Sequence, residues 1–271
     1  MSCNSDGSEF TQNICYHPFV IAKSYIKEIM LLQQKKYRKD TGLFVAQGVK
    51  IVKDLLSSDF HPEGIFATKD FLTENEKIIS GISERDIHKI SNADLERISS
   101  MTSPNQVVAV FHIKVLMFDS RVAGKELVLA LDDIRDPGNL GTIIRTADWF
   151  GIKDVVCSET CSDIYNSKSL QATMGSIARV NVYYTDLSKL FSSSEKDQKI
   201  FAAVIDGKNI YTDGLSKAGY ILIGNEANGI SSGLMKYVTN KIAIPGFSSG
   251  ANSLNAAMAT AIICSEFKRR G

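Results

Sequence analysis

Three loops in the second half of the chain hold polar and glycine residues at spacings that can do chemistry. The first, residues 132–151, contains Asn139, Gly141 and Arg145, with Asn139 as the predicted helix N-cap. Gly141 and Arg145 are four apart and share one helical face, and long helical side chains lean toward the helix N-terminus. Arg145 is therefore predicted to point at a turn that can hold a phosphate. A plain βα turn with a salt-bridging arginine explains the spacing equally well.

The second loop, residues 221–231, places Glu226 between Gly224 and Gly229, directly after a predicted strand. A glutamate disfavours binding of a phosphate, because two anions repel each other. Glu226 would instead fix backbone amides or an arginine. The alternative is a turn in which Glu226 only caps the following helix.

The third loop, within residues 242–262, follows a predicted strand that ends at Pro245. Ser253, Leu254 and Asn255 then begin a helix that is rich in small residues. Small side chains let backbone segments approach closely, which suits a bound ligand. Tight helix packing explains the same composition without any ligand.

Missing motifs exclude several kinds of chemistry. The chain has neither GxGxxG nor GxxxxGK[ST], so it lacks the dinucleotide fingerprint and the P-loop. No histidine follows His112, which disfavours a histidine base or a histidine-ligated metal in the second half. Cys157 and Cys161 are four apart without a second ligand pair, so no metal site is predicted, and the five scattered cysteines argue against a disulfide framework.

Composition indicates an ordinary globular protein. Of 271 residues, 44% are hydrophobic and 23% are charged, and the net charge of +1 gives no overall argument for nucleic acid. No apolar run approaches the roughly 18 residues that a membrane helix needs, and the first residues do not resemble a secretory signal. We therefore expect a cytoplasmic protein without membrane contact, with residues 1–18 as a flexible tail.

The elements that must position these loops form two predicted domains. An amphipathic helix over residues 24–39, followed by alternating short strands and helices, predicts a small α/β domain over residues 19–113. Residues 114–125 have little pattern and are predicted to be a linker. From residue 126 to 271, apolar strands alternate with helices, which is typical of an α/β domain with a mostly parallel sheet. Ligands bind beyond the carboxyl ends of such strands, where the three loops lie.

The predicted first helix has a basic face. Eight basic and two acidic residues lie between Lys23 and Lys53, a local charge of +6. The simple interpretation is a solvated helix face, and the alternative is a surface that contacts phosphates. The candidate phosphate-contacting residues are Lys27, Lys35, Lys36 and Arg38.

Together and in this order, the three loops resemble the SpoU (TrmH-like) branch of the SPOUT methyltransferases. The matching residues are Asn139, Gly141, Arg145 and Ala147 in the first loop, Gly224, Glu226 and Gly229 in the second, and Ile244, Pro245, Ser253, Leu254 and Asn255 in the third. The stretch QATMGSIARV, residues 171–180, resembles a further shared segment, and the match covers about residues 125–268. Residues 23–112, with KKYRKDTGLFVAQG, resemble the family's N-terminal substrate-binding domain.

This resemblance implies transfer of a methyl group from S-adenosylmethionine to a ribose 2′-hydroxyl of RNA. It also implies a trefoil-knotted α/β domain with its cofactor site in the knot, and a homodimer with the active site at the subunit interface. By analogy we prefer ribosomal over transfer RNA as substrate. The alternatives are a transfer-RNA enzyme, a non-catalytic RNA-binding or ribosome-assembly protein, a base methyltransferase and a different nucleotide-dependent α/β enzyme.

The resemblance also implies roles for individual residues. Arg145 becomes the catalytic residue, and because a guanidinium is essentially always protonated, we expect it to hold phosphate and ribose as a cation rather than act as a base. The further predicted catalytic residues are Asn139, which positions Arg145 or the nucleotide, Glu226, which orders the loops, and Ser253 and Asn255, which complete the pocket. The predicted cofactor-binding residues are Gly224, Gly229, Ile244 and Leu254. With an RNA substrate, the phosphate-contacting interpretation of the basic face becomes the preferred one.

Two departures from the family pattern affect these predictions. Asn252 and Gln171 occupy positions that are often glutamate and arginine in the family. Both bear on RNA preference or loop geometry more than on the chemistry.

Overall fold

The computed structural model describes residues 23–101, 106–195, 197–247 and 253–270. The predicted flexible tail, residues 1–18, and Asn252 lie outside the described residues. Among the helices of the described ranges, none has the length and apolar composition that crossing a membrane requires.

The first domain is a small α/β unit. Its helices are α1 (Lys23–Leu31), α2 (Lys35–Thr41), α3 (Val49–Leu56), α4 (Lys69–Glu74), α5 (Glu76–Ile79) and α6 (Asn92–Ile98), and its strands are β1 (Leu43–Gln47), β2 (Pro62–Ala67), β3 (Ile87–Lys89) and β4 (Val107–His112). The strands form one sheet in the order β1-β4-β2-β3. Both β1 and β2 pair antiparallel with β4, and β3 pairs parallel with β2.

The single helix predicted over residues 24–39 is wrong in one respect, since the chain forms two helices there. Backbone turns at Gln33 and Gln34 end the first helix, and the second ends at Gly42 in the left-handed conformation, with φ of 69°. Leu32, in the turn, is buried against the sheet. The turn buries Leu32 and gives the second helix a new direction. The two helices therefore do not share the continuous amphipathic face that the periodicity suggested.

The segment between the domains has little regular structure. Residues 114–119 form neither helix nor strand, and Ser120–Gly124 form a 3₁₀ turn that Asp119 caps through the backbone N–H of Arg121.

The second domain is built around a six-stranded sheet. Its strands are β5 (Leu127–Leu131), β6 (Asp154–Cys157), β7 (Asn181–Tyr184), β8 (Ile200–Asn209), β9 (Gly219–Ile223) and β10 (Asn240–Ala243), and its helices are α7 (Pro137–Trp149), α8 (Ser167–Thr173), α9 (Leu187–Ser192), α10 (Ser232–Met235) and α11 (Ala256–Arg270). The strand order is β10-β8-β9-β5-β6-β7, and every pairing is parallel. The predicted α/β class with a mostly parallel sheet is confirmed. The carboxyl ends of β5, β9 and β10 therefore open at one edge of the sheet.

The two domains share a continuous apolar core. Phe44 of β1 and Tyr165, before α8, have ring centroids 4.5 Å apart. Gln171 of α8 donates from Nε2 to the backbone carbonyl of Gln47 at 2.9 Å. Thus the position at which the sequence departs from the family's usual arginine serves as a contact between the domains.

Candidate active site and cofactor pocket

The loop between β5 and α7 begins helix α7 with Asp136, not with the predicted cap Asn139. Asp136 accepts a hydrogen bond from the backbone N–H of Asn139 at 2.7 Å, and Pro137 occupies the first helical position. Proline is favoured there because the N–H that it lacks would have no partner within the helix. The side chain of Asn139 is consequently released from capping and can bind elsewhere.

Gly141 and Arg145 do not lie on one exposed face of α7, as their four-residue spacing suggested, because Gly141 is buried and Arg145 is exposed. A β-carbon at Gly141 would lie 2.3 Å from the carbonyl oxygen of Ser169 and 2.5 Å from Cβ of Ala172. Gly141 is buried where α7 crosses α8, and the absent side chain allows that crossing. Its role is close packing beneath the site.

The loop after β9 is a tight turn closed on itself. Asn225 and Gly229 exchange two backbone hydrogen bonds of 3.0 and 2.9 Å, and the Asn225 side-chain oxygen accepts from the N–H groups of Ala227 and Asn228. Gly229 has φ of +67°, and a β-carbon at Gly224 would lie 2.4 Å from the carbonyl carbon of Gly229. The turn therefore needs both glycines, and it presents Glu226 at its tip.

Two hydrogen bonds hold the first loop and the second loop together. The buried carboxylate of Asp132 accepts from the backbone N–H of Ser231 at 2.7 Å. Asn225 donates from Nδ2 to the backbone carbonyl of Asp133 at 2.8 Å. Asp133 itself has φ of 59°, a conformation that non-glycine residues rarely adopt without such support. The loops are thus positioned by each other.

Three predicted catalytic residues meet at the amide of Asn139. Its Nδ2 donates a hydrogen bond to Oε1 of Glu226, and its Oδ1 accepts one of 2.9 Å from Nδ2 of Asn255. The side-chain oxygen of Asn255 accepts from the backbone N–H groups of Ala257 and Met258, which fixes its orientation at the start of α11. One side chain from each of the three loops therefore forms a connected series.

Beside this series lies a cavity of about 1020 Å³. Its walls come from β8, the turn after β9, the segment after β10 and the start of α11. All four predicted cofactor-binding residues line the cavity, namely Gly224, Gly229, Ile244 and Leu254. The predicted catalytic residues Glu226 and Ser253 line it as well. Its volume lies at the upper end of the roughly 300–1,000 Å³ scale of small-molecule pockets.

Sequence reasoning missed the wall that β8 provides. Ala202 pairs with Lys241 of β10, whereas Lys208 pairs with the very next residue, Ile242, so residues 203–207 form an excursion from the sheet. Residues 203–206 of this excursion line the cavity. The dipeptide Asp206–Gly207 was the available turn signal, but the apolar run before it predicted an uninterrupted strand.

Arg145 lies outside the cavity. It is exposed on α7, and no described residue forms a hydrogen bond or ion pair with its side chain. The hypothesis that Asn139 positions Arg145 directly finds no contact to support it, because the Asn139 side chain bonds Glu226 and Asn255. Among the described residues, none therefore competes with an external anion for the guanidinium.

The predicted RNA-contacting residues separate into two groups. Lys27, Lys35 and Lys36 are exposed. Arg38 is only 2% exposed, and its guanidinium donates to the carbonyl of Leu32 at 2.7 Å and to Asp163 at 2.6 Å. Including Arg38 among the phosphate contacts was wrong, since it forms a buried ion pair with the second domain.

No group of three or more histidine, cysteine, aspartate or glutamate side chains within the described ranges could hold a metal ion. Cys157 and Cys161 are buried neighbours beneath the loop after β5. The Cys161 sulfur accepts from the backbone N–H of Ile134 at 3.2 Å, and hydrogen bonds from Cys157, Ser158 and the backbone lower its pKa to about 7 despite burial.

Comparison with known proteins gives a consistent result. Residues 126–265 match the SpoU rRNA Methylase family, and residues 23–109 match the MRM3-like substrate binding domain. The 23S rRNA (guanosine(2553)-2′-O)-methyltransferase RlmP of Bacillus subtilis is 29% identical over 242 residues, which cover 88% of this chain and 93% of that protein.

Solved structures agree with this result. A protein from Porphyromonas gingivalis assigned to the TrmH family of RNA methyltransferases superimposes with a TM-score of 0.85 at 30% identity, covering 93% of this chain and all of that one. An AdoMet-bound rRNA methyltransferase from Sinorhizobium meliloti gives a TM-score of 0.81 at 27% identity, covering 93% and 97%. With the family match spanning more than half of its residues, this chain belongs to the SpoU rRNA methylase family.

Proposed function

We propose that this protein methylates a ribose 2′-hydroxyl of ribosomal RNA with S-adenosylmethionine as methyl donor. The observation that carries the proposal is the series Glu226–Asn139–Asn255, which links all three loops and reaches the cavity at Glu226. The family membership and the relatives that methylate ribosomal RNA support the same reaction. Residues 19–113 are proposed to bind RNA and residues 126–271 to catalyse, joined by residues 114–125.

The cavity fits S-adenosylmethionine in size and in the groups that it presents. Apolar side chains such as Ile223, Ile242 and Ile244 suit an adenine ring, and the turn of Gly224 and Gly229 offers backbone groups to its edge. The bound compound would supply an electrophilic methyl group on a sulfonium. The protein's part is to hold that compound and the RNA hydroxyl in line, because orientation contributes several orders of magnitude to such a transfer.

Arg145 would act on the RNA. An exposed arginine without a partner among the described residues offers a guanidinium fork that matches phosphate geometry. As a permanent cation it would hold the phosphate and ribose and stabilise the negative charge that develops on the hydroxyl oxygen while the proton passes to solvent. Asn139 and Glu226 would keep the cavity mouth in the shape that admits the ribose.

A homodimer would bring Arg145 to a cavity that its own chain does not place beside it. Helices α7 and α11 pack together, and each exposes a large apolar side chain, with Trp149 84% and Met258 59% exposed. We propose that these two helices form the dimer interface and that Arg145 serves the partner's cavity. Mixing the inactive variants Arg145→Ala and Glu226→Ala should then restore part of the activity, whereas activity would stay absent if each chain works alone.

Two further expectations belong to the proposal. The cavity is assembled from segments that are separated along the chain, one within β8, one after β9 and one after β10, and this supports the trefoil knot that the resemblance implies. The cytoplasm remains the predicted location.

The reaction is tested with purified protein, methyl-labelled S-adenosylmethionine and total RNA that lacks the modification. Alkaline cleavage of RNA needs a free 2′-hydroxyl, so ribose methylation leaves a labelled dinucleotide that alkali does not cut. Label in that dinucleotide, within the ribosomal RNA fraction, is the expected result. Label in mononucleotides would show base methylation and refute the proposal, as would absence of label with both free RNA and intact ribosomal particles.

A further inference from the structure

The charged side chains that line the cavity are acidic, although one of them is paired with a lysine outside it. Among the described residues that line it, two carry a charge, Asp206 and Glu226, and both are acidic. The neighbouring residues 248–252, Ser-Ser-Gly-Ala-Asn, contain no charged side chain. Glu226 accepts a hydrogen bond from Nδ2 of Asn139 within the site, whereas Asp206 is bonded to Lys241 and has no assigned role in the reaction.

The excursion of β8 places Asp206 at the wall of the cavity. At the base of the excursion, Gly207 packs directly against the backbone of β10. A β-carbon at Gly207 would lie only 2.5 Å from the backbone carbonyl carbon of Ile242, so the position needs a glycine. Lys241 donates from Nζ to Asp206 at 3.0 Å, and this hydrogen bond lowers the pKa of the carboxyl. Asp206 is therefore an anion at neutral pH, and its side chain, which is 74% exposed, is held at the rim of the sheet by the ion pair with Lys241.

We propose that Asp206 makes the cavity prefer the cationic methyl donor over its neutral product. This inference rests on the proposed function. S-adenosylmethionine has a sulfonium, an ammonium and a carboxylate, a net charge of +1. S-adenosylhomocysteine has lost the sulfonium charge and is neutral overall. A carboxylate at the wall stabilises bound S-adenosylmethionine more than bound S-adenosylhomocysteine. Each methyl transfer therefore lowers the affinity of the cavity for the compound that it contains.

The consequence is weaker inhibition of the enzyme by its product, S-adenosylhomocysteine. Adenine, ribose and amino-acid groups are identical in the two compounds, so shape alone discriminates poorly between them. Charge is the one property that changes by a full unit on reaction. Asp206 is thus a specificity-determining residue for release of the product.

The test measures dissociation constants of both compounds by isothermal titration calorimetry, without RNA, for the unmodified protein and for Asp206→Asn. The unmodified protein should prefer S-adenosylmethionine, and Asp206→Asn should reduce the ratio of the two constants by about threefold, as expected for a partly solvated charge. Raising the salt concentration from 0.05 to 0.5 M shortens the screening length roughly threefold and should reduce the ratio for the unmodified protein but not for the variant.

Lys241→Gln provides the matched control. If Asp206 acts through its charge, removing its cationic partner leaves the ratio unchanged or increases it, whereas loss of a merely structural ion pair would lower the ratio in both variants. An unchanged ratio in Asp206→Asn, with both compounds still bound, refutes the inference alone. Failure of the unmodified protein to bind either compound refutes the cofactor assignment and the inference with it.

Discussion

Asn139 and Asn255, 116 residues apart in the chain, are joined by a hydrogen bond of 2.9 Å between the starts of α7 and α11. Since Asn139 also donates to Glu226, its amide must present its oxygen to one neighbour and its nitrogen to the other. A carboxylate of the same shape could accept the hydrogen bond from Asn255 but could not donate one to Glu226. The site therefore depends on an amide at this position for its donor and its acceptor.

Asn139→Asp should lower turnover by about 10- to 100-fold, because a carboxylate facing Glu226 replaces a hydrogen bond to a charged group with repulsion. Steady-state methyl transfer measures the loss. The double variant Asn139→Asp with Glu226→Gln reverses donor and acceptor and should recover part of it. No recovery would mean that the bond between these two residues is not what the reaction needs.

Arg145→Ala should lower turnover by about 10²- to 10³-fold, the usual effect of losing a group that stabilises developing charge. Affinity for S-adenosylmethionine, measured by calorimetry, should stay within about twofold because Arg145 does not line the cavity. Arg145→Lys should recover little, since a lysine lacks the planar fork. Turnover close to that of the unmodified protein would remove Arg145 from its assigned role.

Arg38→Met should reduce the free energy of unfolding by about 3–5 kcal/mol, the cost of leaving Asp163 without its buried partner. Urea unfolding followed by circular dichroism measures it. Lys36→Ala, two residues away and exposed, should change stability by less than about 0.5 kcal/mol. Equal effects of the two substitutions would contradict the distinction between them.

Lys35→Ala with Lys36→Ala should weaken RNA binding and reduce the slope of log affinity against log salt by about 0.7 per lost phosphate contact. Filter binding at several salt concentrations gives the slope. The control pair is Lys125→Ala with Lys217→Ala, exposed lysines at the end of the linker and in the second domain. If the control pair changes the slope as much, general charge rather than this helix attracts the RNA.

Gly141→Ala should reduce the free energy of unfolding by about 1–3 kcal/mol, because the new methyl group would overlap Ser169 and Ala172 of α8. Thermal and urea unfolding measure the change. At Gly124 an added β-carbon meets no atom within 4 Å, so Gly124→Ala should be close to neutral. A Gly141→Ala protein as stable as the unmodified one would show that α7 and α8 can separate at little cost.

The sequence identified the parts of the site whose chemistry is local. Apolar runs predicted the strands of the second domain, and the glycine pair around Glu226 predicted its turn. The cap of α7 was misassigned although the signal was present, since Pro137 at the first helical position identifies Asp136, directly before it, as the cap.

Features that depend on distant contacts could not be read in this way. The burial of Arg38 requires Asp163, 125 residues further along the chain, and nothing in the local charge pattern indicates it. The excursion at residues 203–207 arises because β10 pairs with both ends of it, which only the assembled sheet determines. Gly141 was assigned to the wrong surface because the position of α8 was unknown.

The positions of the cavity walls along the chain also determine when the cavity can be completed during synthesis of the protein. Ribosomes extend a chain from its N-terminus, so the wall formed by residues 253–263 emerges after the walls from β8, β9 and β10. Asn255, which completes the series with Asn139, is made 116 residues after its partner. The first domain and β5 are consequently synthesised long before the cavity can bind a cofactor. The cavity is complete only once α11 has been synthesised.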